Sequence, residues 1–323
     1  NLQAHSGYQD ANSIFMNRGE IIGLNEASST NNLVGKHVAF MFTEGGSQRK
    51  QEGFDNTGLI EMRAPESVLF LMTNNAYSYS YNESNDSYGN NNISDNPGKH
   101  ILMNNGDMKL YGNNNIGVYT HNAPMMSKNE YAYYYSNGTW NESKSIYNGL
   151  QRTEIRLYNP ITLLGDQSIG VDIERELNFA NSKIKVDIGT EDPRQTAASS
   201  AGVNGLENSG NIAGGSSAYT DSAAGIYVNM GNNVMYYSKY VYDQNNPANN
   251  VNISGYMAEN PQFTLSDYLL NVGEYSRGGV GLRVEDYGDV ILGSSSDTTT
   301  NHEINLLAGS EGNAGIYLRG SNS

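Results

Sequence analysis

The chain has 323 residues, and 19 Lys and Arg stand against 34 Asp and Glu for a net charge of −15. That balance argues against nucleic acid or an anionic membrane surface as the main partner, because both attract basic patches. Asn (45), Ser (33), Gly (36) and Tyr (24) fill well over a third of the sequence, and the first three favour turns over helix interiors, which excludes an ordinary helical enzyme.

There is no cysteine, so thiol nucleophiles, Cys-ligated zinc and a disulfide frame are all excluded. Such a chain suits an extracellular protein that must cross membranes unfolded. Only 16% of residues are charged, aromatics reach 10% and Pro is scarce, which favours an ordered all-β chain over a disordered one. No apolar run is long enough to span a bilayer. The start, N-L-Q-A-H-S-G-Y, lacks the basic cluster and apolar core of a signal peptide, and the end stops inside a recurring pattern. The expectation is therefore a fragment of a larger surface protein, forming one unit over residues 1–323.

In chain order, one short phrase keeps returning. It opens as G-E-I-I-G-L-N-E-A-S-S-T-N-N-L-V-G from Gly19 to Gly35. A Tyr- and Asn-rich insertion follows over about 74–98. The phrase is clearest at G-D-M-K-L-Y-G-N-N-N-I-G-V-Y-T from Gly106. After a second insertion, about 127–149, it recurs as I-T-L-L-G-D-Q-S-I-G-V-D-I from Ile161, with Met108, Leu110 and Gly112 matching Ile161, Leu163 and Gly165. A third insertion covers about 190–210. A looser copy runs from Gly210 to Gly225, a fourth insertion covers about 229–262, and another loose copy has Leu265, Gly273 and Gly278. The last copy is I-N-L-L-A-G-S-E-G-N-A-G-I-Y-L from Ile304.

The alternation of apolar residues in the phrase marks one face of a short strand. The Gly and Asn run predicts positive-φ backbone at a tight corner, and Val118 or Ile226 opens the next strand. Strand, corner, strand without hairpin dipeptides predicts a right-handed parallel β-helix, a solenoid in which stacked rungs share one core. An antiparallel sandwich with long loops is the alternative. Gly117, Gly170, Gly225 and Gly281 are separated by 53, 55 and 56 residues, so each interval holds two rungs, or one rung with insertions. About a dozen rungs at ~4.8 Å would make a rod near 60 Å long. Met108, Leu110, Ile161, Leu163, Ile304 and Leu306 are expected to face its core.

The phrase I-x-L-x-G-[ND]-x-x-x-G-[IV]-[YD] with Asn-rich corners, best seen at Met108–Tyr119, Ile161–Asp172 and Ile304–Tyr317, resembles the passenger regions of large autotransporter adhesins of fusobacteria. The resemblance covers about residues 14–318. It implies a β-helix displayed on the bacterial outer membrane through a barrel outside this fragment, with adhesion to host cells or other bacteria as its activity.

A β-helix that cleaves polysaccharide needs converging acids. Asp172 and Asp187 lie in strand-like runs and Asp286 and Asp289 lie close together, but none forms a tight pair beside a basic residue. His5, His37, His100, His121 and His302 are scattered singly. The G-G-V-G-L run at 278–282 puts Arg283 where a calcium-binding repeat needs Asp. The expectation is no enzyme, no metal and no cofactor.

Three aromatic groups fall in the insertions amid Asn, Ser and Gly: Tyr77, Tyr79, Tyr81 and Tyr88; Tyr131, Tyr133, Tyr134, Tyr135 and Trp140; and Tyr236, Tyr237, Tyr240 and Tyr242. This is the mixture of an antibody paratope, with rigid amphipathic rings for area and small polar residues for adaptable hydrogen bonds. It also suits sugars. Packing of the insertions onto the solenoid flank would explain single tyrosines equally well. The function expected is a cell-surface adhesin that binds a host receptor protein or its glycan through these insertions. A β-helix polysaccharide-degrading enzyme and an inert spacer are the alternatives.

Overall fold

The computed structural model describes residues 13–23, 36–43, 51–74, 99–122, 125–136, 139–147, 152–174, 182–193, 218–229, 233–241, 251–259, 262–285, 289–293, 302–307 and 311–320. Its strands follow a repeating three-sided course. The first three turns are β1 (Ser13–Asn17), β2 (Glu20–Gly23) and β3 (Val38–Thr43); β4 (Gln51–Asn56), β5 (Leu59–Met62) and β6 (Val68–Asn74); and β7 (Lys99–Asn104), β8 (Asp107–Leu110) and β9 (Ile116–Asn122). A hairpin of β10 (Met125–Ser136) and β11 (Thr139–Tyr147) interrupts before β12 (Arg152–Leu157), β13 (Ile161–Leu163) and β14 (Ile169–Glu174). The fifth turn holds β15 (Ile184–Ile188), β16 (Thr220–Asp221) and β17 (Ala224–Asn229). A second hairpin, β18 (Asn233–Val241) and β19 (Val251–Glu259), precedes β20 (Gln262–Leu265), β21 (Tyr268–Val272), β22 (Ser276–Arg277) and β23 (Val280–Glu285). The last turn is β24 (Asp289–Leu292), β25 (His302–Leu306) and β26 (Ala314–Arg319).

Strands at the same place in successive turns pair in parallel. The first side is β1-β4-β7-β12, and β20-β24 takes the corresponding place in the last two turns. The second side is the seven-stranded sheet β2-β5-β8-β13-β15-β21-β25, and the third is β3-β6-β9-β14-β17-β23-β26, also seven-stranded. The molecule is a parallel β-helix. Residues from all three sides form one continuous core, including Phe54, Ile60, Phe70, Met108, Leu110, Val118, Ile155, Ile161, Leu163, Val171, Val186, Ile226 and Leu270. The register Ile161 with Met108 and Leu163 with Leu110 is the alignment the sequence phrase predicts. Ile304 and Leu306 keep that register on β25, but Ile304 is only partly buried and Leu306 is 51% exposed, because they lie in the last described turn.

Two expectations are corrected. The intervals of 53–56 residues are single turns carrying insertions, so the described residues make seven turns, not a dozen. Six steps of ~4.8 Å give an axis of about 29 Å. Positive φ at the corner before the third side belongs to Lys36, Glu66, Asn114, Gln167, Ser222, Gly278 and Gly312, one per turn, so only two of the seven are glycines. Backbone bonds carry the ladder through that corner, from Glu66 N to Asn113 O (2.8 Å), Asn114 N to Asp166 O (2.8 Å) and Gln167 N to Asp221 O (2.7 Å).

The recurring glycines have another purpose. Gly117, Gly170, Gly225, Gly281 and Gly315 occupy equivalent places on the third side, and a Cβ on Gly170 would sit 2.6 Å from Gly225 O and 2.7 Å from a Val186 methyl. They let the third side approach the second. The first side turns into the second through a buried amide ladder. Asn17 Nδ2 donates to Asn56 Oδ1 (2.8 Å), and Asn56 Nδ2 donates to Asn104 Oδ1 (2.7 Å).

Candidate binding surface

Both hairpins grow from the third side. β9 ends at Asn122 and β10 starts at Met125; β17 ends at Asn229 and β18 starts at Asn233. Within the third side, β14 lies between β9 and β17 and ends at Glu174. Beyond that end β10 and β18 pair directly in parallel, giving a lateral four-stranded sheet β11-β10-β18-β19. Two insertions far apart in sequence thus become one surface.

The backbone register sorts their residues by face, because successive residues of a strand alternate between faces and register partners share one. One face has the rows Ser143–Tyr131–Tyr240–Asn252, Ser145–Asn129–Ser238–Ser254 and Tyr147–Ser127–Tyr236–Tyr256. Every residue in these rows is Tyr, Ser or Asn, and at the start of β10 and β18 the same face carries the apolar row Met125–Val234–Ala258. Tyr133, paired with Asn141, extends the same face. The opposite face has Lys144–Glu130–Lys239–Ile253 and Ile146–Lys128–Tyr237–Gly255. Tyr135 pairs with Trp140 beyond an irregularity that leaves Tyr134 without a register partner on β11, and alternation along β11 puts Trp140 on the charged face.

Of the aromatic residues singled out in the sequence, Tyr131, Tyr133, Tyr236 and Tyr240 therefore come together. Tyr135, Trp140 and Tyr237 fall on the other face. Tyr77, Tyr79, Tyr81, Tyr88 and Tyr242 lie outside the described residues, as does nearly all of the insertions at 74–98 and 190–210. Sequence reasoning missed Tyr147 and Tyr256. The period-2 pattern of V-N-I-S-G-Y at 251–256 was the available signal for the second of them.

The outer surface of the third side leads up to this sheet. One register row there is Tyr119, Asp172, Tyr227, Arg283 and Tyr317. The Tyr119 hydroxyl donates to Glu174 Oε2 (2.6 Å), and the Tyr227 hydroxyl donates to Glu285 Oε2 (3.0 Å). Arg283 Nε and Nη2 donate to Glu285 Oε1 (2.9 and 2.6 Å), and its guanidinium lies 5.5 Å from the centre of the Tyr227 ring and 5.7 Å from that of Tyr317. Burial, then the Glu285 hydrogen bond and charge, push the Tyr227 hydroxyl up to about 12. Asp172 is 5% exposed, and its Oδ1 is buried without a hydrogen-bond partner. Burial, with a contribution from the Glu174 charge, pushes its pKa up to about 7.

Asp187 sits on the second side instead. It accepts from Asn271 Nδ2 (2.8 Å), and Asn305 Nδ2 extends the row by donating to Asn271 Oδ1 (3.0 Å). Burial raises its pKa and the Asn271 bond lowers it. Asp172 and Asp187 thus occupy different sides and do not converge. Asp286 lies outside the described residues, and Asp289 opens β24. Among the described residues, no three His, Asp or Glu side chains gather as metal ligands would. No family model, curated protein or solved structure matches the chain.

Proposed function

We propose that this chain is a binding module displayed outside a bacterial cell, in which a β-helix holds out a lateral sheet that attaches to a receptor protein or its glycan on a host cell or another bacterium. The parallel pairing of β10 with β18 carries this reading. It assembles, from two separate insertions, a face with three rows of Tyr, Ser and Asn, the residue set that recognises ligands with rigid rings and small adaptable hydrogen-bonding groups. The absence of charge from its three rows fits a surface that gains affinity from ring burial. The likeness of the repeats to autotransporter passengers and the absence of Cys support surface display. The separation of Asp172 from Asp187 on different sides favours binding over polysaccharide cleavage. The test is attachment of the purified chain to host cells, with and without glycosidase treatment. Changing Tyr131, Tyr236 and Tyr240 together to Ala should abolish attachment with the β-type circular dichroism unchanged. Attachment that survives in the folded variant contradicts the reading.

A further inference from the structure

A groove of about 500 Å³ runs along the corner between the second and third sides, and none of the residues that line it belongs to the lateral strands. That volume falls within the ~300–1,000 Å³ of ligand clefts. Its floor is Ile169 and Ala224. One wall is Asn114, Gln167 and Ser222, and the other includes Tyr227 and Arg283. The first wall is built by the corner itself. Asn114, Gln167 and Ser222 hold φ of 58°, 55° and 56°, so each turn offers one exposed polar side chain from the same backbone geometry. Their spacing is that of stacked turns, ~4.8 Å.

We propose that this groove binds a neutral glycan chain lying parallel to the helix axis, about one sugar residue per turn. The chemistry matches the two surfaces of a sugar. An aliphatic floor and the Tyr227 ring suit the C–H faces, and a periodic row of amide and hydroxyl groups suits the ring hydroxyls. Charge selects the class of glycan. Arg283 is committed to Glu285, and the nearby Arg277 is committed to Asp221 (2.8 and 2.5 Å). Together with the chain's net charge of −15, this disfavours an anionic polymer. The site is separate from the lateral sheet and does not depend on it.

The test is titration of the whole chain with cellohexaose, xylohexaose, laminarihexaose and chitohexaose, with hexagalacturonate as the anionic control. At least one neutral hexasaccharide should bind with a submillimolar Kd and hexagalacturonate should not. The triple change Asn114→Gly, Gln167→Gly, Ser222→Gly removes the polar wall while glycine keeps the positive φ without strain, and it should weaken binding at least tenfold. Tyr227→Phe retains the ring and should stay within about threefold of the parent. Lys128→Ala with Lys239→Ala, on the opposite face of the lateral sheet, should leave glycan binding unchanged. The proposal is overturned if none of the neutral hexasaccharides binds at millimolar concentration, if the triple glycine variant binds as the parent does, or if hexagalacturonate binds best.

Discussion

At the scale of single residues, backbone space decides more than backbone freedom. Gly170 stands where the third side meets the second, and an added Cβ would have backbone oxygen at 2.6 Å and Val186 methyls at 2.7 and 2.8 Å. Gly170→Ala should cost about 1–3 kcal/mol through overpacking. Gly19→Ala is the control, since a Cβ there meets nothing within 4 Å. Denaturant midpoints of the two variants check the contrast, and equal stability would show that the glycine row has no packing role. The spacing of these glycines was legible in the sequence, but their purpose was not. Composition suggests a positive-φ corner for any Gly- and Asn-rich run, whereas Lys36, Glu66, Gln167 and Ser222 take that conformation here because the stacked backbone bonds of the corner impose it. Asp172 gives a second residue-level expectation. Its folded pKa, near 7, lies above the ~3.9 of an unfolded Asp, so the folded chain binds the proton more tightly. That contribution is complete below about pH 4 and is lost as pH rises through 7. Asp172→Asn should therefore melt several degrees above the parent at pH 8, with the gap closing at pH 4. A gap that is the same at both pH values would show that this carboxyl is not protonated in the fold.

At the scale of elements, the second and third sides could be read in advance and the first could not. Apolar alternation followed by glycine marks β8, β13, β9 and β14 directly. The first side is interrupted by a glycine in β4 and ends in the buried asparagines Asn17, Asn56 and Asn104, which break the apolar pattern a strand search follows. Its own signature is N-x-G, at Asn17–Gly19, Asn56–Gly58 and Asn104–Gly106, where each asparagine side chain bonds its neighbour in the stack and the carbonyl two residues on. Asn56→Leu should cost about 1–3 kcal/mol by leaving buried partners unsatisfied, measurable as a lower melting midpoint. The lateral sheet was legible only as two aromatic insertions. Their joining depends on β14 ending at Glu174 between β9 and β17, a tertiary fact with no local signal. A cysteine-free chain makes the pairing easy to probe. Glu130 and Lys239 are register partners on the charged face, and neighbouring strands bring Cα atoms to ~4.8 Å, inside the disulfide range. Glu130→Cys with Lys239→Cys should oxidise to an intramolecular bridge, whereas Glu130→Cys with Val241→Cys, two residues out of register, should not. Equal bridging in both pairs would mean that β10 and β18 do not hold this register.

At the scale of the whole molecule, the described β-helix is a short stack of seven turns and the lateral sheet is what distinguishes it. The interior turns commit most of their apolar residues inward, so their outer faces carry polar ladders such as Asp187–Asn271–Asn305 and ion pairs such as Arg283–Glu285, and most of the large exposed apolar residues, such as Met16, Met41 and Leu318, gather in the first and last turns. The hairpins add a surface whose two faces differ in chemistry: one carries three uncharged rows of Tyr, Ser and Asn, and the other carries Lys and Glu beside aliphatic residues, Tyr237 and Trp140. A spacer would have no use for that asymmetry; a binding module would use the uncharged face. The most direct measurement is attachment to host cells of two folded double variants in parallel: Tyr131→Ser with Tyr240→Ser, and Lys128→Ala with Lys239→Ala. Loss of two ring anchors at about 2 kcal/mol each should weaken attachment roughly several hundredfold in the tyrosine variant, and the lysine variant should attach as the parent does. Equal attachment by the tyrosine variant and the parent, or loss confined to the lysine variant, would contradict binding through the Tyr, Ser and Asn face.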